Sequence, residues 1–114
     1  MGEPISGGTP PVVHLSGEID LAQAPQVQER LDRLLDDGAT TIVVDLRDAT
    51  FLDSVALGVL VGALKRCRAA GGTVQLVVTE PRIVKVLRIT GLLDEFSVHD
   101  SLSSATGTPE GEGR

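Results

Sequence analysis

The sequence predicts an α/β domain built on a small, mainly parallel sheet. Three observations lead there. Strand-like and helix-like stretches alternate from residue 11 to about residue 105, the pattern of strands joined by helical crossovers. The stretches TTIVVDL at 40–46 and TVQLVV at 73–78 are almost wholly apolar and rich in β-branched residues, as in strands covered on both faces. Each helical stretch is also punctuated, by Pro25 or Pro81 at a start and by Gly38, Gly71-Gly72 or Gly91 at an end.

The elements follow in order. Residues 1–10, MGEPISGGTP, carry three Gly and two Pro and read as a mobile tail. The domain spans 11–105. Pro11 to Ser16 is its first strand, and Gly17 opens a turn, GEIDLAQAP. Asp20 and Gln23 have the spacing of a capping box. Pro25, however, disfavours helical geometry at Ala24, so the helix starts near Ala24 or Pro25 and leaves Asp20 in the loop. Val27, Leu31, Leu34 and Leu35 then form one apolar stripe.

The second strand covers Thr40–Leu46, and a short polar turn follows it. The second helix runs from Ser54 to about Ala70. Thr73–Val78 is the third strand. Glu80-Pro81 starts a third helix with Ile83, Val84, Val86 and Leu87 on its apolar face. Gly91 stands where a left-handed cap belongs, with Leu92 as its hydrophobic follower. Phe96–His99 reads as a short last strand and Ser101–Ala105 as one helical turn. Residues 106–114, TGTPEGEGR, are disordered by composition.

The composition excludes several roles. The chain has 114 residues, a formal net charge of −6, two Phe, and no Tyr or Trp. The acidic balance argues against a phosphate-backbone partner, and the missing aromatics remove the platforms on which single-stranded nucleic acids stack. One cysteine, Cys67, rules out an intrachain disulfide and a cysteine-based zinc site. No apolar run is long enough for a membrane span, and no signal peptide opens the chain, so a cytoplasmic location is expected.

No catalytic constellation emerges, so the chain does not read as an enzyme, and no cofactor or metal is expected. His14 and His99 lack a spaced Cys, His or Glu partner and read as structural. There is no Gly-x-Ser-x-Gly elbow and no phosphate-binding loop. What remains is Asp53-Ser54 at a helix start. With Asp53 as N-cap, Leu52 and Leu57 occupy the positions of a hydrophobic staple. Ser54 then places a hydroxyl beside unpaired backbone N–H groups. A phosphoryl group there gains from those donors and from the helix dipole, and adds about −1.5 to −2 charge beside Asp53. Plain capping by Asp53 and Ser54 explains the same residues. The helix behind them has two apolar stripes. Leu57, Leu60, Val61 and Leu64 point to the core. Val55, Val59 and Gly62 make a second stripe, flattened by Gly58 and Gly62. That stripe either docks a partner or packs under a neighbouring loop.

GEIDL at 17–21, VVDLRDATFLDSVALGVLVGALKRCRAAGG at 43–72 and EPRIVKVLRITGLLDEFSV at 80–98 resemble the STAS domain, specifically the bacterial anti-sigma factor antagonists. The resemblance covers about residues 11–105. It implies a β-α superhelix around the small sheet. It also implies an unphosphorylated form that binds an anti-sigma factor, itself a serine/threonine kinase, and so frees a sigma factor for transcription. By the same resemblance, phosphorylation at the serine after the Asp, here Ser54, is expected to release the complex, and a PP2C-type phosphatase to restore the free hydroxyl. The kinase supplies ATP and Mg²⁺. The resemblance also implies partner contact at Asp20 and at the start of the second helix, where Asp53, Val55, Ala56, Gly58, Val59 and Gly62 are the expected contact residues.

Two residues depart from the family's usual Asp-Ser-Ser/Thr-Gly-Leu-Gly. Val55 replaces the second hydroxyl residue and leaves one acceptor. Ala56 replaces Gly, which brings a methyl group close to the hydroxyl and favours the helix by up to about 1 kcal/mol. The first strand of the family has no clear counterpart in residues 1–10. A non-switching scaffold, a transport-accessory module and a small-ligand or nucleotide sensor are the competing readings.

Overall fold

The computed structural model describes residues 9–106. In chain order the elements are β1 (Val12–Ile19), α1 (Ala24–Asp36), β2 (Ile42–Leu52), α2 (Ser54–Ala69), β3 (Val74–Val77), α3 (Pro81–Ile89), β4 (Ser97–His99) and α4 (Leu102–Thr106). The four strands form one sheet in the order β1-β2-β3-β4, and every neighbouring pair is parallel. Sequential order with parallel pairing makes α1, α2 and α3 each a crossover to the adjacent strand, which is the superhelical winding expected.

Strand alternation divides the sheet into two faces. Ile42, Val44 and Leu46 of β2 and Val74 and Leu76 of β3 point to the main core. There they join Val27 and Leu31 of α1, Leu57, Leu60 and Leu64 of α2, and Ile83 and Leu87 of α3. The opposite face carries Val43 and Val77 under Ala105 and Leu102 of the short α4. This is why 40–46 and 73–78 lack polar alternation. Cys67 lies in the main core, where burial pushes its thiol pKa up against a smaller pull from Arg66. Arg66 itself binds Asp32 and Asp36 of α1.

Two expected turns are strand. β1 continues through Gly17 to Ile19, and β2 runs on past Leu46 to Leu52. The extensions pair with each other, Gly17 with Ala49 and Ile19 with Leu52, but register shifts interrupt the ladder at His14/Ser16 and at Gly17/Glu18. Such bulges bend a strand while keeping it paired. Gly17 sits at one of them with φ of 76°, a left-handed value that glycine adopts at no steric cost. A glycine and a run of charges therefore mark a bulged extension here. The bend turns Ala49 and Leu52 into the core.

The helix starts were legible. Gln23 is the N-cap residue of α1 but makes no side-chain cap, and Pro stands in the first turn. The Asp20–Gln23 pairing does form, one turn early: Asp20 N–H donates to Gln23 Oε1 at 3.1 Å, and Ala22 N–H donates to Asp20 Oδ1 at 2.9 Å. Glu80 caps α3 by accepting from Arg82 N–H. Gly91 follows α3 with φ of 79°. The expected tails fall mostly on residues 1–8 and 107–114, outside the described residues.

Candidate functional site

In a parallel sheet, every helix begins where the preceding strand ends, so the N-termini of α1, α2 and α3 lie at one end of this domain. Crevices at that end are where open α/β sheets bind ligands. β2 lies between β1 and β3, so the start of α2 is flanked by the β1–α1 loop and by the start of α3.

Asp53 holds this end together. It is extended, with φ −88° and ψ 177°, and its Oδ1 accepts from Ala56 N–H at 2.9 Å, the N-cap geometry. Its other oxygen, Oδ2, accepts from Leu21 N–H at 2.9 Å. The Asp53 N–H donates to Ile19 O at 3.1 Å. One residue thus caps α2 and ties the loop bearing Asp20 to it. Asp20 and Asp53 are distant in sequence and adjacent here.

Ser54 is the first residue of α2 and is exposed. Ala56 N–H and Leu57 N–H are taken by Asp53 Oδ1 and Asp53 O. The N–H groups of Ser54 and Val55 at the helix start have no described protein partner. An anionic group on Ser54 therefore meets free donors and the positive end of the helix dipole, but also a neighbouring carboxylate.

The structure sorts the remaining partner-contact residues. Val55 is 43% exposed. Gly58 and Gly62 are exposed, and a Cβ added at either meets nothing within 4 Å. These three offer open surface. Ala56 does not: it is 1% exposed and belongs to the main core. Its methyl group points inward, so the expectations that it crowds the hydroxyl and that it contacts a partner are both corrected. The cause is helical geometry, since Ala56 lies on the stripe of Leu60, Ala63 and Cys67. Val59 is half-buried against the core, so the second stripe is open at Val55 and the glycines and closed at Val59. Val61 is likewise only half-buried. Ala56, Ala63 and Cys67 complete the core stripe instead.

Two features escaped sequence reasoning. Phe51 is 50% exposed and Leu21 is 65% exposed, and both belong to this end. Phe51 lines a cavity with Glu18, Thr50, Leu52, Arg82, Ile83 and Val86. On the opposite face, Asp45 is 2% exposed. It accepts from Arg47 N–H at 3.1 Å, from Arg47 Nε at 2.9 Å and from Arg47 Nη2 at 2.7 Å, and lies 3.0 Å from His14 Nδ1. The Arg47 guanidinium is the largest cause of a carboxyl pKa held far below the usual range, against the opposing effect of burial. His14 Nε2 in turn lies 3.0 Å from Asp48. His14 thus has two carboxylate partners, and each is an Asp set by register rather than by spacing along the chain.

Comparison with known proteins follows the same outline. The family model of the STAS domain matches residues 4–105. An anti-sigma-B factor antagonist from Bacillus subtilis is 38% identical over 86 residues, which is 75% of this chain and 78% of that protein. The crystal structure of an anti-sigma factor antagonist from Mycobacterium paratuberculosis superposes with a TM-score of 0.75 at 30% identity, covering 82% of this chain and 80% of that one. The Bacillus cell fate determinant SpoIIAA in its phosphorylated form superposes with a TM-score of 0.65 at 26% identity, covering 82% and 85%.

Proposed function

The chain belongs to the STAS domain family, among the anti-sigma factor antagonists, and from that membership we propose that it is a phosphorylation-controlled binding protein. Unmodified, it binds an anti-sigma factor that is a serine/threonine kinase, and the sigma factor is set free. The kinase transfers phosphate to Ser54, and the complex separates. A PP2C-type phosphatase resets the switch. The protein is a substrate of these enzymes, acts in the cytoplasm and needs no cofactor of its own.

The observation that carries this reading is the position of Ser54: exposed, first in α2, beside a carboxylate that already holds two backbone N–H groups. A relative solved in a phosphorylated form supports it. The contact surface comprises Asp20, Asp53, Val55, Gly58 and Gly62, with Val59 at its margin. A phosphoryl group adds about −1.5 to −2 charge to a surface that already carries Asp20 and Asp53. It is held by the free N–H groups of the helix start, and it repels a partner that accepted the neutral hydroxyl. Val55 carries no hydroxyl, so the acceptor is single.

The test is incubation with the cognate kinase, ATP and Mg²⁺ followed by mass mapping. One phosphate on Ser54, absent in Ser54→Ala, is the expected result. No incorporation, or equal incorporation in Ser54→Ala, refutes the reading.

A further inference from the structure

The end of the sheet that carries Ser54 also carries the cavity under Phe51. Its volume is about 390 Å³. It opens between the last residues of β1 and β2 and the first turns of α3, and Leu52, Ile83 and Val86 give it an apolar wall. Phe51 leaves half of its surface in water, whereas the other phenylalanine, Phe96, is 3% exposed. Leu21 and Val55 are also exposed. The Leu21 N–H donates to the Asp53 carboxylate and Val55 follows Ser54, so three exposed apolar residues belong to the end of the domain that carries the acceptor. The cavity lining carries one acid and one base, Glu18 and Arg82, and the Arg82 Nε already donates to Glu80 at 3.2 Å. Asp53 directly follows the lining residue Leu52, and Asp20 precedes Leu21, whose N–H donates to Asp53. Glu18 has no cationic partner among the described residues.

We propose that this cavity is an anchor pocket for one apolar side chain of the anti-sigma factor, presented between basic residues. The inference rests on the partner-switching reading above and extends it to a part of the surface that the Ser54 motif does not reach. Binding energy at protein interfaces concentrates where an anchor enters a dry pocket beside a polar rim. Charge beside the pocket selects the partner: a surface with lysine or arginine next to the anchor is attracted to Glu18 in the lining and to Asp53 just beyond Leu52, and an acidic one is repelled. The anchor and the switch then divide the work. The pocket sets which partner binds, and the charge on Ser54 sets whether it stays.

Two variants test this. Phe51→Ala removes one wall of the pocket. Thr50→Trp fills the pocket from an exposed lining position and leaves the core side chains in place. Both are titrated with the purified cognate kinase, without nucleotide, beside wild type and Ser54→Asp, at low and at raised salt. The expected result is binding about tenfold weaker for each pocket variant. Unfolding midpoints stay near wild type, and wild-type affinity falls as salt rises. If Phe51→Ala disturbs the fold, Thr50→Trp decides alone. Affinities within twofold of wild type for the pocket variants, with Ser54→Asp still weakened, overturn the anchor pocket and leave the switch standing. If Ser54→Asp also binds as wild type does, both fall. A small molecule detected on the wild type by native mass spectrometry, lost in Thr50→Trp without change in kinase affinity, assigns the pocket to a ligand and overturns the proposal.

Discussion

Replacing Asp53 tests how the site is held together. Its carboxylate makes two bonds of 2.9 Å, one to Ala56 N–H within α2 and one to Leu21 N–H across the loop. Loss of an N-cap costs about 1 kcal/mol. Loss of a second bond to a charged acceptor, discounted because this one is exposed, costs about 1 kcal/mol more. Asp53→Ala should therefore lower unfolding stability by about 2 kcal/mol. Asp53→Ser separates the two contributions. A serine caps α2 well, but its single oxygen does not serve Leu21 as well, so its cost should be about 1 kcal/mol. Urea unfolding followed by circular dichroism measures both, with the midpoint shifted at constant slope. Amide exchange supplies the local readout: Leu21 loses protection in both variants, while Ala56 keeps it in Asp53→Ser. Stability of Asp53→Ser equal to wild type, with Leu21 still protected, would refute the clamp.

The other predictions concern the core, the α2 surface and the acid limb of stability. The Asp45 carboxyl titrates below its unfolded value near pH 3.9 because Arg47, and then His14, bind the charged form. Its contribution is therefore complete above about pH 4 and is lost as pH falls towards the lowered value. Asp45→Asn should cost about 1–3 kcal/mol at neutral pH and flatten stability below pH 4, and an acid limb as steep as wild type would contradict this. Gly62→Arg places a long side chain in open space on α2. It should keep or raise stability, by up to about 1 kcal/mol from helix propensity, while weakening kinase binding; unchanged binding would remove Gly62 from the contact surface. Ala56→Gly should lower stability by about 1 kcal/mol or more, from propensity and a lost core methyl, and leave the phosphorylation rate unchanged. Faster phosphorylation would show that the methyl obstructs the hydroxyl after all.

Much of this was legible in the sequence, for identifiable reasons. Helix starts and stops follow from local chemistry, so Pro25, Asp53, Pro81 and Gly91 placed them to within a residue or two. The parallel sheet followed from alternation of elements. The β1–β2 extension did not, because register shifts at His14/Ser16 and Gly17/Glu18 break the two-residue period, and because Gly17 is a turn residue in most settings. Ala56 was placed on the wrong side by attention to its neighbour in the chain. A helix turns about 100° per residue, so the position two after an exposed serine faces away from it, and the inward stripe of Leu60, Ala63 and Cys67 already pointed there. Cross-strand partnerships were out of reach of spacing along the chain. His14 meets Asp45 and Asp48, and Leu21 meets Asp53, only because β1 lies beside β2. Phe51 gave a signal of another kind: one large aromatic residue directly before the Leu-Asp-Ser junction, in a chain almost without aromatics.

The most direct test of the account is a binding titration of the cognate anti-sigma kinase. It compares this protein unmodified with the same protein carrying one phosphate on Ser54. The account predicts tight binding of the unmodified form and of Ser54→Ala, with affinity at least about tenfold lower for the phosphorylated form, a difference of about 1.4 kcal/mol or more. Equal affinity of the two forms would contradict it.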